Sequence, residues 1–435
     1  MSTAQSTSFT DKLSPVQGLW AFASKVGQTF LSKGFLLVTG LGVNVLIART
    51  LGPEGQGTYA SLVALGGMGV QIGNLGLHSS NTYFSAKDSK LLPFLLGNSL
   101  LVLTVMSLLL AVGIEILSRT TQDFIPVAKN LLPLALLYIP AALGVIFFQG
   151  LLMGRQLVAA YNKIEIGQRI LGIALLACLV FGNIKTVESF FGALIVATYA
   201  SAFLSLWVLY RSGGAVVPKA SQTLLRRTSK FGVNAYAAAV FSFLTLKFNL
   251  LMVNGMMSAK SAGYYSIALS IGDVIYMLPG VVGLILFAKL SSVNSGNERR
   301  DFLSRVLKIL VPLMLTMVII ADFAIYPFIK FLYGEKYMAS IEPFLWMSPG
   351  IYFLSLATVV QNYLGSTGRA WAMIIGPLVA CCVNVVLTYS LIPSYGIKGA
   401  AISSSVAYIS WFTVGIFLVI KVKGIEFSNG EVKLV

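Results

Sequence analysis

The sequence predicts an all-α polytopic membrane protein, with twelve transmembrane helices in two six-helix lobes related by pseudo-two-fold symmetry. Three observations carry that expectation. The 435 residues are 57% hydrophobic and only 11% charged, with a mean hydropathy of +0.84, which excludes an ordinary soluble domain. Twelve apolar segments each run for twenty residues or more, long enough to cross a hydrocarbon core of about 30 Å at about 1.5 Å per residue. One hairpin pattern also occurs twice. Asn44 to Leu65 closes one apolar segment, turns through Gly52-Pro53-Glu54-Gly55-Gln56-Gly57 and opens another; a shift of 206 residues lays Gly57 on Gly263 and Tyr59 on Tyr265 within Leu250 to Ser270. Duplicated membrane bundles are a common plan of transporters.

Residues 1–23 are Ser/Thr-rich and lack the apolar core of a signal peptide, so a short cytoplasmic lead-in is expected. The first lobe, 24–210, holds segments at 24–48, 58–84, 92–117, 127–153, 164–183 and 187–210. The longest break, 211–230, is the expected linker. The second lobe, 231–420, holds segments at 231–254, 263–288, 303–329, 341–366, 370–392 and 398–420, and 421–435 is a cytoplasmic tail. Pro133 and Pro140 in the fourth segment, Pro349 in the tenth and Pro377 in the eleventh supply kinks.

The net charge of +16 does not point to nucleic acid, because most basic residues sit between apolar segments. There they set topology. With the N-terminus inside, inner loops and tails hold 20 Lys and Arg against 8 in the outer loops, so both termini are expected in the cytoplasm. Cys178, Cys381 and Cys382 lie in apolar segments without metal-ligand spacing and read as small core residues. His78 is the single histidine, and no Walker, HExxH or GxSxG pattern occurs. No metal, cofactor or catalytic residue is therefore expected.

The remaining basic residues, Lys33, Arg169 and Lys247, fall inside the apolar segments. A charge there costs about 3 kcal/mol on insertion scales and usually faces a cavity or a partner. Lys33 shares a helical face with Thr29, Gly40 and Asn44, and Lys247 shares one with Tyr236 and Asn254. In the second segment Gly67, Gln71, Asn74, His78, Asn81 and Ser85 come at steps of 4, 3, 4, 3 and 4, a polar stripe along one helix. Such a stripe lines a cavity or packs as glue between helices. Arg169 either faces the cavity or snorkels to the interface. Counted from the turn near Met257, Lys247 and Asp273 differ in depth by roughly 6 Å, within reach of a lysine side chain, so an ion pair is expected. Glu115 and Asp322 are placed near outer helix ends, which leaves Asp273 as the only acid near mid-membrane.

Residues 25–65, and above all Ala48-Arg49-x-Leu51-Gly52-Pro53-x-x-x-Gly57-x-Tyr59, resemble the polysaccharide-transporter flippases, in the superfamily of the multidrug extruders and the lipid II flippase. Gln149 to Arg155, its echo at Gln361 to Arg369, and Tyr161-Asn162 add to the resemblance. What it implies is export of an undecaprenyl-diphosphate-linked oligosaccharide across a bacterial inner membrane, by two lobes that rock about a central cavity. It also implies a membrane-lipid environment, a polysaccharide polymerase and a chain-length regulator as partners, and a monomer. Ser32-Lys33 is similar to a Ser-Arg pair of the lipid II relatives, where basic residues hold the diphosphate. On this reading Lys33, Arg169 and Lys247 supply charge to the diphosphate. Asn44, Gln71, Asn74, His78 and Asn81 meet the sugars, Arg155 and Arg369 recruit the lipid at matching corners, and Asp273 couples transport to a proton. Two other classes stay open: a cation-coupled drug antiporter of the same fold, disfavoured by the basic intramembrane residues, and a glycan polymerase or ligase, disfavoured by the lack of a large outer loop.

Overall fold

The computed structural model describes residues 15–120, 127–212, 217–293, 295–367, 371–421, 426–428 and 431–433, with side chains described at Gly34 and, within these ranges, from Val38 to Lys421 except Thr120. The apolar segments are helices because only internal hydrogen bonding satisfies a backbone in hydrocarbon. In order they are α1 (Pro15–Gly73), α2 (Leu77–Lys87), α3 (Leu92–Thr120), α4 (Leu132–Gly154), α5 (Val158–Phe181), α6 (Val187–Ser212), α7 (Gln222–Met256), α8 (Ala259–Ser291), α9 (Gly296–Leu332), α10 (Ile341–Ser366) and α11 (Ala372–Lys421). A short antiparallel ladder pairs Glu426–Ser428 with Glu431–Lys433 in the tail. Among the described residues nine helices are long and apolar enough to span a membrane, or ten when the described part of α1 and α2 count as one bent span.

Three breaks shape the bundle. Gly52 interrupts α1 with φ 70° and Gly396 interrupts α11 with φ 58°, a left-handed backbone that glycine adopts without a Cβ penalty. Pro53 reinforces the first, since a residue before proline is driven out of the helical region. Between α1 and α2, Leu75 and Gly76 both have positive φ, and the chain bends by 50°.

Helix ends fall on two faces. One, the break face, carries Gly52, the α7–α8 and α9–α10 turns and Gly396; the other, the linker face, carries the α2–α3, α4–α5, α6–α7 and α8–α9 connections. Helices α2–α6 pack among themselves, α7–α11 pack among themselves, α1 packs against members of both groups, and α2 and α3 also touch α7. α10 is the core of the second group, with Phe344, Met347, Leu354 and Val359 buried. α3 and α9 turn Leu108, Leu109, Ile320 and Phe323 outward, as lipid-facing helices do.

Three boundaries differ from the sequence reading. α1 starts at Pro15, inside the expected lead-in. The expected 211–230 linker is helical from Gln222, because Ser221 caps α7 by accepting the Leu224 amide at 3.4 Å. α9 continues to Leu332, so Asp322 stands ten residues inside its end, about 15 Å at 1.5 Å per residue. Its Oδ2 accepts from Ser348 of α10 at 3.1 Å. Asp273 is therefore not the only carboxylate deep in the bundle.

Candidate functional site

The two helix groups meet along a seam built on the duplicated hairpins. A methyl group placed on Gly57 would overlap the Ala259 carbonyl, and one placed on Gly263 would overlap the Pro53 carbonyl. The 206-residue shift carries Pro53 onto Ala259 and Gly57 onto Gly263, so the contact is reciprocal, as a two-fold relation between like surfaces requires. Small residues at this spacing let membrane helices approach to backbone contact. Gln56, one residue before Gly57, is buried and donates to Ser266 Oγ at 3.4 Å.

Further along the seam Phe243 of α7 abuts Gly67 of α1, and the Tyr236 hydroxyl donates to the Ile72 carbonyl at 2.8 Å. Lys247 lies one turn beyond Phe243, so it shares the α7 face that meets α1. Its Nζ donates to Asp273 Oδ2 of α8 at 3.1 Å, with the two side chains 29% and 55% exposed. The expected pair is present, and its carboxylate is half exposed. Asp273 also borders a small cavity of about 20 Å³ with Tyr276 and Tyr408, about one water in size.

On the break face the motif residues Ala48 and Arg49 tie α1 to the second group. Arg49 donates to the Leu332 carbonyl at 2.7 Å and to the Phe331 carbonyl, capping acceptors that the end of α9 leaves without helical donors. Tyr337 donates to the Ala48 carbonyl at 2.8 Å, and Tyr333 donates to Asn44 Oδ1 at 3.0 Å. Burial holds the Tyr333 phenol above its ordinary range, so it remains a donor. The face of α1 that presents Asn44 also presents Gly40, where an added Cβ would lie 3.9 Å from Arg169 Nη1 of α5. Arg169 is thus brought to the Asn44 face. Lys33 shares that face by register, but its side chain lies outside the described residues, as does Arg369.

The polar stripe does not run unbroken along one helix, because the bend at Asn74–Gly76 re-aims its second half. Gln71 remains half-buried one turn beyond Gly67. Asn74 Oδ1 accepts the His78 amide at 3.1 Å and so caps the start of α2. His78 is exposed, with Nδ1 3.1 Å from the Ile146 carbonyl of α4. Asn81 is fully buried and donates to Ser99 of α3 at 2.8 Å. This corrects the cavity role expected of Asn81: it joins α2 to α3 inside the first group. Arg155 Nη2 donates to the Ser212 carbonyl at 3.3 Å, which caps the end of α6.

One network is absent from the sequence reading. Asn249 Nδ2 lies 2.9 Å from Asn384 Oδ1, 2.9 Å from the Ala400 carbonyl and 2.8 Å from Ser404 Oγ. Thr388 donates to Asn249 Oδ1 at 2.7 Å, and the Tyr265 hydroxyl lies 2.8 Å from Ser404 Oγ. All five side chains are buried, so the network locks α7, α8 and α11 together. Its signal is an amide in each of two apolar segments, the criterion that singles out Asn74.

A multi-pass helical membrane protein, with two helix groups meeting along a seam and an ion pair within the bundle, has the architecture of a transporter. The chain belongs to the polysaccharide biosynthesis protein family, which matches residues 22–288. It is similar to a putative O-antigen transporter of Shigella flexneri, 24% identical over 188 residues. That match spans 42% of this chain and 44% of the length of the curated relative. The fold is similar to that of the lipid II flippase MurJ in an inward closed conformation, with a TM-score of 0.70 and 15% identity over 92% of this chain and 87% of that one. It is also similar to an inward-facing multidrug-resistance MATE transporter of the MOP superfamily, with a TM-score of 0.68 and 14% identity over 88% of this chain and 93% of that one. These relatives are transporters and flippases, not enzymes.

Proposed function

We propose that this protein flips an undecaprenyl-diphosphate-linked oligosaccharide across the bacterial inner membrane by alternating access. The Lys247–Asp273 pair carries the reading. It sits on the α7 face that meets α1, deep in the bundle, and joins a cation suited to a diphosphate with a carboxylate suited to a proton. Arg169 adds a second cation, and Asn44 and Gln71 offer amides to sugar hydroxyls. The breaks in α1 at Gly52 and in α11 at Gly396, and the bent junction of α1 with α2, support a plan of twelve spans in two six-helix lobes. The excess of Lys and Arg in its loops supports a cytoplasmic linker face.

In this mechanism cargo diphosphate draws Lys247 from Asp273, and the freed carboxylate takes up a proton. The cargo favours one orientation of the lobes and the proton the other, which is the differential binding a two-state exchanger requires. The break-face ties at Arg49, Tyr333 and Tyr337 open while the linker-face contacts between α2 and α7 stay closed, and the reverse. The test is expression in a bacterium deleted for its own repeat-unit flippase and matched in glycan. Restored surface polysaccharide, with less lipid-linked repeat unit on the cytoplasmic side, is expected. Continued accumulation at normal protein level contradicts the reading, and drug resistance without polysaccharide would favour an antiporter.

A further inference from the structure

On the linker face, the end of α2 and the first turns of α7 enclose a groove of about 310 Å³, lined by Tyr83, Phe84, Lys87, Arg227, Lys230 and Phe231. Its floor is aromatic. Tyr83 and Phe231 stack with centroids 4.5 Å apart and planes 21° apart, and Phe84 meets Phe231 edge-on at 5.5 Å. The Arg227 guanidinium lies 5.4 Å over the Phe84 ring, and the Lys87 ammonium lies 6.0 Å from the Tyr83 ring. Arg227 and Lys230 also border a second cavity of about 660 Å³, with Arg226 and Gln222 on its wall. Volumes of this size suit small-molecule sites.

The groove is held in shape from beneath. Buried Ser80 of α2 donates to the carbonyl of buried Thr228 of α7 at 2.7 Å, and Gly76 and Gly232 approach at backbone distance. Asn98 of α3 bonds both backbone groups of Ser221, at 2.8 and 3.0 Å, and fixes the start of α7. The charges are uncompensated: none of the ion pairs among the described residues uses Lys87, Arg226, Arg227 or Lys230. The neighbouring acid, Asp88, accepts the Lys90 amide at 2.9 Å. Topology alone asks for positive charge at this face. It does not ask for three cations, Lys87, Arg227 and Lys230, around a concave, aromatic-floored cleft between helices of different groups.

We infer that this cleft is a docking site for the diphosphate of a membrane lipid, which it receives before the lipid reaches Lys247. Arg227 offers two parallel donors to one phosphate. Lys230, one turn further along α7, stands about 5–6 Å away at the Cβ level and serves the other. The aromatic floor takes the first apolar carbons of the lipid at interfacial depth.

The inference rests on the flippase reading for its cargo, but its test does not require transport. The full chain in phosphatidylcholine nanodiscs is titrated with glycan-free undecaprenyl diphosphate, undecaprenyl monophosphate and phosphatidylglycerol, with binding read by native mass spectrometry. The diphosphate is expected to bind at least tenfold tighter than either of the others, and Arg227→Ala/Lys230→Ala to lose at least tenfold of that affinity. Lys163→Ala, a linker-face cation on α5, is expected to change nothing. Should the double variant not fold, Arg227→Gln serves in its place. Equal binding by the variant, or phosphatidylglycerol bound as tightly as diphosphate, overturns the site. Diphosphate binding without glycan export removes the flippase reading alone; export with unchanged binding in the variant removes the docking site alone.

Discussion

Gly57 and Gly263 occupy equivalent positions 206 residues apart in the sequence and lie against each other in the structure, each beside the carbonyl four residues before its counterpart. Equivalent residues that touch lie next to the axis relating their hairpins. A side chain at either position has no room, since the obstructing atoms are backbone. Gly57→Ala is expected to cost about 1–3 kcal/mol by forcing the hairpins apart. Thermal unfolding in detergent reads this as a lowered midpoint. Gly280→Ala serves as the control, because nothing lies within 4 Å of an added Cβ there. Equal midpoints for the two variants would show that the contact is not tight.

Arg49 holds two carbonyls at the end of α9 from across the seam. Arg49→Ala removes both bonds and is expected to loosen the break face. Hydrogen bonds involving a charged group are worth about 1.5–3 kcal/mol, and exposure here points to the lower figure. The expected result is a roughly tenfold rise in labelling of a cysteine at Asn44 from the break face, against the same cysteine with Arg49 intact. Unchanged labelling would make Arg49 a surface residue only.

Much of this is legible in the sequence because lipid imposes strict rules. Apolar length marks the helices, and the depth of Lys247 and Asp273 anticipates their pairing, since a charge inside the bundle needs a partner. The 206-residue repeat singles out Gly57 and Gly263, but not their contact, because a repeat shows equivalence and not the place of the axis. Asn81 escapes sequence reading for a comparable reason. Helical register assigns a residue to a face only while the helix stays unbroken, and the turn at Asn74–Gly76 rotates the residues beyond it into the first group. Asp322 lies deeper than the sequence indicates because α9 runs three residues past its expected end at 329. The Asn249 network depends on tertiary contacts among α7, α8 and α11, which no local pattern records.

The Lys247–Asp273 pair makes a further prediction about insertion and fold. Removing one partner leaves a lone charge in the seam, so Lys247→Leu and Asp273→Leu should each lower the yield of folded protein. The double variant should recover most of it, since an apolar pair of similar volume often replaces an ion pair without loss. Fluorescence size-exclusion of tagged protein checks this. A double variant worse than either single would deny the pairing.

Asp273→Asn separates cargo binding from coupling. The amide keeps a hydrogen-bonding side chain beside Lys247 but carries no exchangeable carboxyl proton. Glycan export is expected to fall at least tenfold while binding of lipid-linked oligosaccharide persists. Full export by this variant, at normal protein level, would reduce Asp273 to a structural partner.

Reconstitution tests the flippase mechanism most directly. Proteoliposomes are loaded with undecaprenyl-diphosphate-linked oligosaccharide in the leaflet next to the linker face, and the appearance of the glycan in the opposite leaflet is tracked with a membrane-impermeant glycosidase. Wild-type protein is expected to expose the glycan with time, and Lys247→Gln to slow that exposure at least tenfold. Exposure no faster than in protein-free liposomes, or a Lys247→Gln rate equal to wild type, would contradict it.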